Sequence, residues 1–146
     1  MKIYVASSWR NPGQPVVVDV LRQAGHEVYD FRHPTPQDNG FHWSEIDPNW
    51  RNWEPEAYIE GLKHPLADDG FGKDMCGLNW SEATVLVLPC GRSAHLEAGY
   101  AAGQGKPVII LLDVGFEPEL MYKMAWRCVT DLRELIETIA SLEGVG

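Results

Sequence analysis

The sequence predicts an α/β protein with a three-layer, flavodoxin-like fold built on a five-stranded parallel sheet. Strand-like and helix-like segments alternate along the chain. Three of the strand-like segments, "KIYVAS", "ATVLVLP" and "KPVIILL", are continuous apolar runs. A strand half exposed to water alternates apolar and polar residues, whereas one covered on both faces does not, and such strands belong to parallel sheets. Polar loops rich in Ser, Arg, Asn and Gly follow the runs at the ends where α/β sheets bind ligands.

The elements follow in order. Residues 2–7 read as the first strand, and "SSWRNPGQP" as a loop with turn chemistry. Pro15 suits the first turn of a helix over 15–24, which Gly25 stops. "HEVYDF" is a second short strand. Residues 32–53 are irregular and dense in Pro, Asn, Gly and Asp, yet Trp43, Trp50 and Trp53 are embedded there, either to stack a base or to pin down the loop. Helices are expected over 54–63 and over 66–81, the second in two parts around Gly70-Phe71-Gly72, with Asp68 and Asp69 in a turn or cap. The third strand covers 83–88. A helix with Ser93 as N-cap and Gly105 as stop leads to the fourth strand. A helix over 117–125 and a fifth strand, "RCVT", come next. The last helix carries Leu132, Leu135, Ile136, Ile139 and Leu142 at core spacing. Trp80 and Trp126 are expected in the core.

The length of 146 residues suits one domain over 1–146. A net charge of −9 opposes broad contact with a nucleic-acid polymer, which needs a basic face. No apolar stretch approaches the roughly 20 residues of a membrane helix, and "MKIYVASSWR" lacks a signal-peptide layout. With three cysteines and no CxxC pair, a reducing, cytoplasmic setting is expected. No metal is expected, because the five histidines make no HExxH pattern. No cofactor is expected either, since GxGxxG and GxxxxGK[ST] are both lacking.

Glu97 is the residue that stands out. It is a carboxylate early in a helix of small residues, just past the third strand. It is either a solvent-facing residue attracted to the helix dipole or a group aimed into a cleft. Gly99 and Gly103 each cost the helix about 0.5–1 kcal/mol relative to Ala, which implies close approach of the backbone to the sheet or to another subunit. Asp74 is a second carboxylate, on the helix that feeds the third strand. Ser7, Ser8, Arg10 and Asn11 after the first strand, and Gly91, Arg92 and Ser93 after the third, are candidates to hold a phosphate or sugar hydroxyl.

The segment "KDMCGLNWSEATVLVLPCGRSAHLEAGYAAGQGKPVIIL" resembles the nucleoside 2-deoxyribosyltransferase family and its nucleotide N-glycosidase relatives. Asp74, Gly91, "EAGYA" and "GKPV" match in order and spacing, and the likeness runs from the first strand to about Trp126. The resemblance implies that Glu97, the glutamate of E-x-G-x-A, is the nucleophile that takes the sugar from a nucleoside, and that Asp74 orients it or handles a proton. It also implies a small-molecule nucleoside or nucleotide partner and a homodimer or higher homo-oligomer. A non-catalytic nucleotide-binding or sensing module on the same fold is the alternative. One departure stands out: Pro89-Cys90 replaces the aspartate that family transferases often carry at the end of the third strand. That change suits a 5′-phosphate better than a free 5′-hydroxyl. The aromatic insertion 37–53 has no counterpart in the pattern.

Overall fold

A computed structural model describes residues 1–144, so the last two positions of the expected 1–146 span lie outside it. Two compact units make up the chain: Met1–Asp30 with Trp80–Gly146, and Phe31–Asn79.

The first unit holds the sheet. Its strands are β1 (Lys2–Ala6), β2 (Glu27–Asp30), β3 (Ala83–Val87), β4 (Val108–Leu111) and β5 (Arg127–Val129). They pair in the order β2-β1-β3-β4-β5, and every pairing is parallel. Chain order runs outward in both directions from the β1–β3 pair, so the switch point where α/β sheets bind ligands lies between the carboxyl ends of β1 and β3.

Alternation along each strand divides the core. Ile3, Val5, Val85, Val87 and Ile109 form one face with Val17, Val18 and Leu21 of α1 (Gly13–Gln23) and Leu135 and Ile139 of α5 (Leu132–Glu143). Leu86, Val108 and Ile110 face the opposite way, toward α4 (Arg92–Gly103). Helices thus cover both faces of the sheet, as the continuous apolar runs require. α5 is fixed at its start by side-chain bonds in both directions: the carboxylate of the N-cap Asp131 accepts from Glu134 N–H at 2.8 Å, and the Glu134 carboxylate accepts from the N–H of Thr130, just before the cap, at 2.9 Å. Gly25 and Gly105, at φ +94° and +78°, end α1 and α4 in the left-handed conformation that glycine adopts cheaply.

The second unit contains α2 (Pro55–Gly61) and most of α3 (Pro65–Trp80). Its long irregular stretch is organised by aromatic packing. Trp43 meets Phe41, Trp53 and Tyr58 edge-on, at 4.8, 5.7 and 5.9 Å between ring centres. The Trp53 indole donates to the Asp47 carboxylate at 2.7 Å. These rings pin down the loop, one of the two roles the sequence leaves open.

Four expectations are corrected. α3 runs unbroken through Gly70-Phe71-Gly72. Gly70 is there because a Cβ would stand 2.9 Å from that of Phe41, not because the helix breaks. Asp68 and Asp69 lie inside α3 rather than in a turn, and Asp69 pairs with Lys73 at 3.0 Å. The expected 117–125 helix shortens to a 3₁₀ turn, Leu120–Met124, that starts only after Pro118. Trp80 and Trp126 are 38% and 43% exposed; each is covered by a cation, Lys2 and Arg127 respectively, instead of by core.

Candidate functional site

The loop after β1 is tied to the end of β3 by its own polar side chains. The Ser7 hydroxyl donates to the Val87 carbonyl at 2.8 Å. The Asn11 amide donates to Ser7 Oγ at 3.1 Å and to the Val87 carbonyl at 3.4 Å, while its oxygen accepts from Gly13 N–H at 2.8 Å. One turn further along, the buried Gln14 amide donates to the Asp30 carboxylate at 2.8 Å, joining α1 to the end of β2. Ser7 and Asn11 therefore build the switch-point edge. Ser8 Oγ accepts from Arg10 N–H at 3.2 Å, and Trp9 and Arg10 are exposed. Among the described residues, neither Arg10 nor Arg92 has an ion-pair partner.

The helix after β3 is capped by Gly91, not by Ser93. Gly91 has the extended backbone of a cap, at φ −91° and ψ −163°, and Ser93 already lies in the first turn. No side chain caps this end, so the positive end of α4 and the exposed Arg92 stand together.

Ala94, Ala98 and Ala101 are buried against the sheet. At roughly 100° per residue, His95, Gly99 and Ala102 lie on one flank of α4 and Glu97 on the other, about 170° apart. The His95 flank faces a cavity of about 900 Å³ over Leu86, Val108 and Ile110, on the β4 side. Glu97 does not line it. Glu97 thus turns toward the β1 side of α4 and the switch point, where Ser7 and Asn11 hold the edge. A smaller hollow of about 610 Å³ opens between Gly13 and the start of α5, and Glu97 lies outside that too. A Cβ at Gly99 or Gly103 would meet nothing within 4 Å, so neither glycine is there for contact with the sheet.

Cys90 sits at the exit of β3, half-buried. Burial, then the charges of Glu97 and Asp113, push its thiol up to about 12. It is a neutral thiol at physiological pH. Its sulfur lies 3.7 Å from His95 Nδ1. That nitrogen is 2.8 Å from the Gly91 carbonyl, and Nε2 is 2.8 Å from the Tyr122 hydroxyl. Sequence reasoning missed this pair, since 27 positions separate the two residues and neither stands in a local pattern.

Asp74 belongs to the other unit. It lies partly buried in the third turn of α3, beyond the helix start. Among the described residues, no group of three or more His, Cys, Asp or Glu is placed to hold a metal ion, and no helix is long and apolar enough to cross a membrane.

No protein-family model matches the chain, and no curated protein matches it by sequence. Among solved structures it is similar to a 2-deoxyribosyltransferase from the psychrotolerant bacterium Bacillus psychrosaccharolyticus. The two are 21% identical, with a TM-score of 0.66 over 93% of this chain and 90% of that one. The likeness shows a common fold.

Proposed function

We propose that this protein cleaves the N-glycosidic bond of a (deoxy)nucleoside or its 5′-monophosphate. The sugar passes through an ester on Glu97 to another base or to water. The observation that carries the reading is a carboxylate in E-x-G-x-A on the switch-point flank of α4, within a fold shared with a 2-deoxyribosyltransferase.

The chemistry follows that of a retaining glycosidase. A Glu97 oxygen attacks the anomeric carbon as the bond to the base nitrogen breaks, through an oxocarbenium-like transition state. The departing base takes up a proton. Water or a second base then attacks the same carbon and releases the carboxylate. Asp74, matched through the sequence pattern, is assigned to orient the nucleophile or move that proton. Arg10, Arg92 and the uncapped end of α4 favour an anionic 5′ end, and the neutral Cys90 thiol does not repel one. Ser8, Gly91 and Ser93 are assigned to the sugar and phosphate, and Ser7 and Asn11 to the edge that holds them.

The test is a panel of nucleosides and matched 5′-monophosphates, with free base followed by chromatography. Glu97→Ala is expected to abolish turnover in a folded protein, and Asp74→Asn to slow it by about 10²–10⁴. Near-normal turnover by Glu97→Ala would end the reading. Equal kcat/KM within every matched pair would remove the phosphate preference alone.

A further inference from the structure

The segment between β4 and β5 is held by very little. Leu112 N–H bonds to the Val129 carbonyl at 2.9 Å, and Trp126 N–H to the Val108 carbonyl at 2.8 Å. Between them, the described backbone hydrogen bonds of residues 113–125 stay within the segment, from Tyr122 to Glu119 and from Ala125 to Tyr122. Among the described residues, the only side-chain hydrogen bond that stretch makes is from Tyr122 to His95. The two rings are stacked, 5.8 Å apart and 13° from parallel.

The protons can be assigned. The Gly91 carbonyl only accepts, so His95 Nδ1 carries a hydrogen. In the neutral ring Nε2 is then an acceptor, and Tyr122 O–H donates to it. Burial, together with the neighbouring carboxylates Glu119 and Asp113, raises the Tyr122 pKa and keeps it a phenol. His95 thereby links three things: the carbonyl that starts α4, the Cys90 sulfur beside it, and the 113–125 segment. Glu97 lies two residues further along the same helix.

We propose that His95 and Tyr122 form a positioning clasp that fixes the 113–125 segment against the first turns of α4 and so holds Glu97 in its attacking position. The inference rests on the reading of Glu97 as nucleophile. Neither ring is placed in contact with the substrate, and the clasp acts through α4.

The experiment compares Tyr122→Phe, His95→Leu, the double variant and His95→Gln with the parent on its best substrate. Tyr122→Phe and His95→Leu are each expected to lower kcat about tenfold or more with KM changed less, because small misplacements of a reacting group are costly. The double variant should be no worse than the poorer single one, as for two halves of one contact. His95→Gln, whose amide oxygen can accept from Tyr122, should recover part of the rate. The His95 Nε2 resonance in a ¹⁵N spectrum should move on Tyr122→Phe. Tyr122→Phe with kcat within twofold of an active parent, additive losses in the double variant, or an unmoved Nε2 resonance would overturn the clasp alone. A parent inactive on the whole panel would instead overturn the reading of Glu97, and the catalytic role of the clasp with it.

Discussion

Asn11→Ala separates a residue that builds the site from one that touches ligand. Asn11 is 5% exposed, and its amide serves both directions. The substitution removes a good donor bond to Ser7 at 3.1 Å, a marginal one to Val87 at 3.4 Å, and the 2.8 Å acceptor bond from Gly13 N–H. Val87 keeps the Ser7 hydroxyl as a donor. The Gly13 amide keeps no replacement at the mouth of α1. Two well-formed bonds are each worth about 1 kcal/mol net, and leaving a shielded N–H unpaired adds about 1–2 kcal/mol. The loss therefore comes to about 3–4 kcal/mol. For 146 residues this lowers the thermal midpoint by about 9–12 °C. Calorimetry measures the midpoint, and steady-state kinetics on the same sample measure KM. A midpoint within about 2 °C of the parent, together with a rise in KM, would refute the framework role and put the Asn11 amide on the ligand.

Gly61→Ala should destabilise by about 1–3 kcal/mol in urea, since its Cβ would stand 2.6 Å from the Trp53 ring. Gly72→Ala, with open space around it in α3, should instead stabilise by roughly 0.5–1 kcal/mol, and equal effects would discredit the aromatic wedge. At pH 8 the exposed Cys76 should react with a disulfide reagent well before Cys90, whose rate should climb only as the pH rises toward its value of about 12; early labelling of Cys90 would contradict its burial. We propose that the open flank of α4 meets a second copy of the chain, so sedimentation at micromolar concentration should show more than a 16.4 kDa species. A monomer alone would refute that assignment.

The sheet was legible because its signal is one-dimensional. An apolar run such as "ATVLV" is all buried, and a strand with both faces covered has no other way to look. The glycines were harder. Gly25 and Gly105 announce a positive φ and a stop, which sequence context supplies. Gly61 and Gly70 answer to Trp53 and Phe41, partners 8 and 29 positions away, so Gly70 read falsely as a break. Trp80 and Trp126 failed as core residues for a related reason. A large ring reads as apolar, yet here each lies half-open beneath a cation. Within the site, the E-x-G-x-A carboxylate was visible as a pattern. That Ser7 and Asn11 bond to Val87, and His95 to Tyr122, depends on which loops the topology brings together.

The small residues around Glu97 fall into two groups. Ala94, Ala98 and Ala101 are small because the sheet lies against them, and a larger side chain would push α4 off β3. Gly99 has open space beside it, so no contact within the chain demands its lack of a side chain. It lines the same cavity as Leu96, which is 76% exposed, and Met121, which is 62% exposed. The second copy proposed above to meet this flank would give Gly99 a reason that no contact within the chain supplies. Glu97 lies on neither of these faces. The sheet excludes a charge from the first, and the proposed contact with a second copy would exclude it from the second. What remains of α4 is the flank toward β1, beside the switch point where sheets of this kind bind ligands. The helix can carry its acidic residue at 97 because that position escapes both the sheet-facing side and the proposed contact.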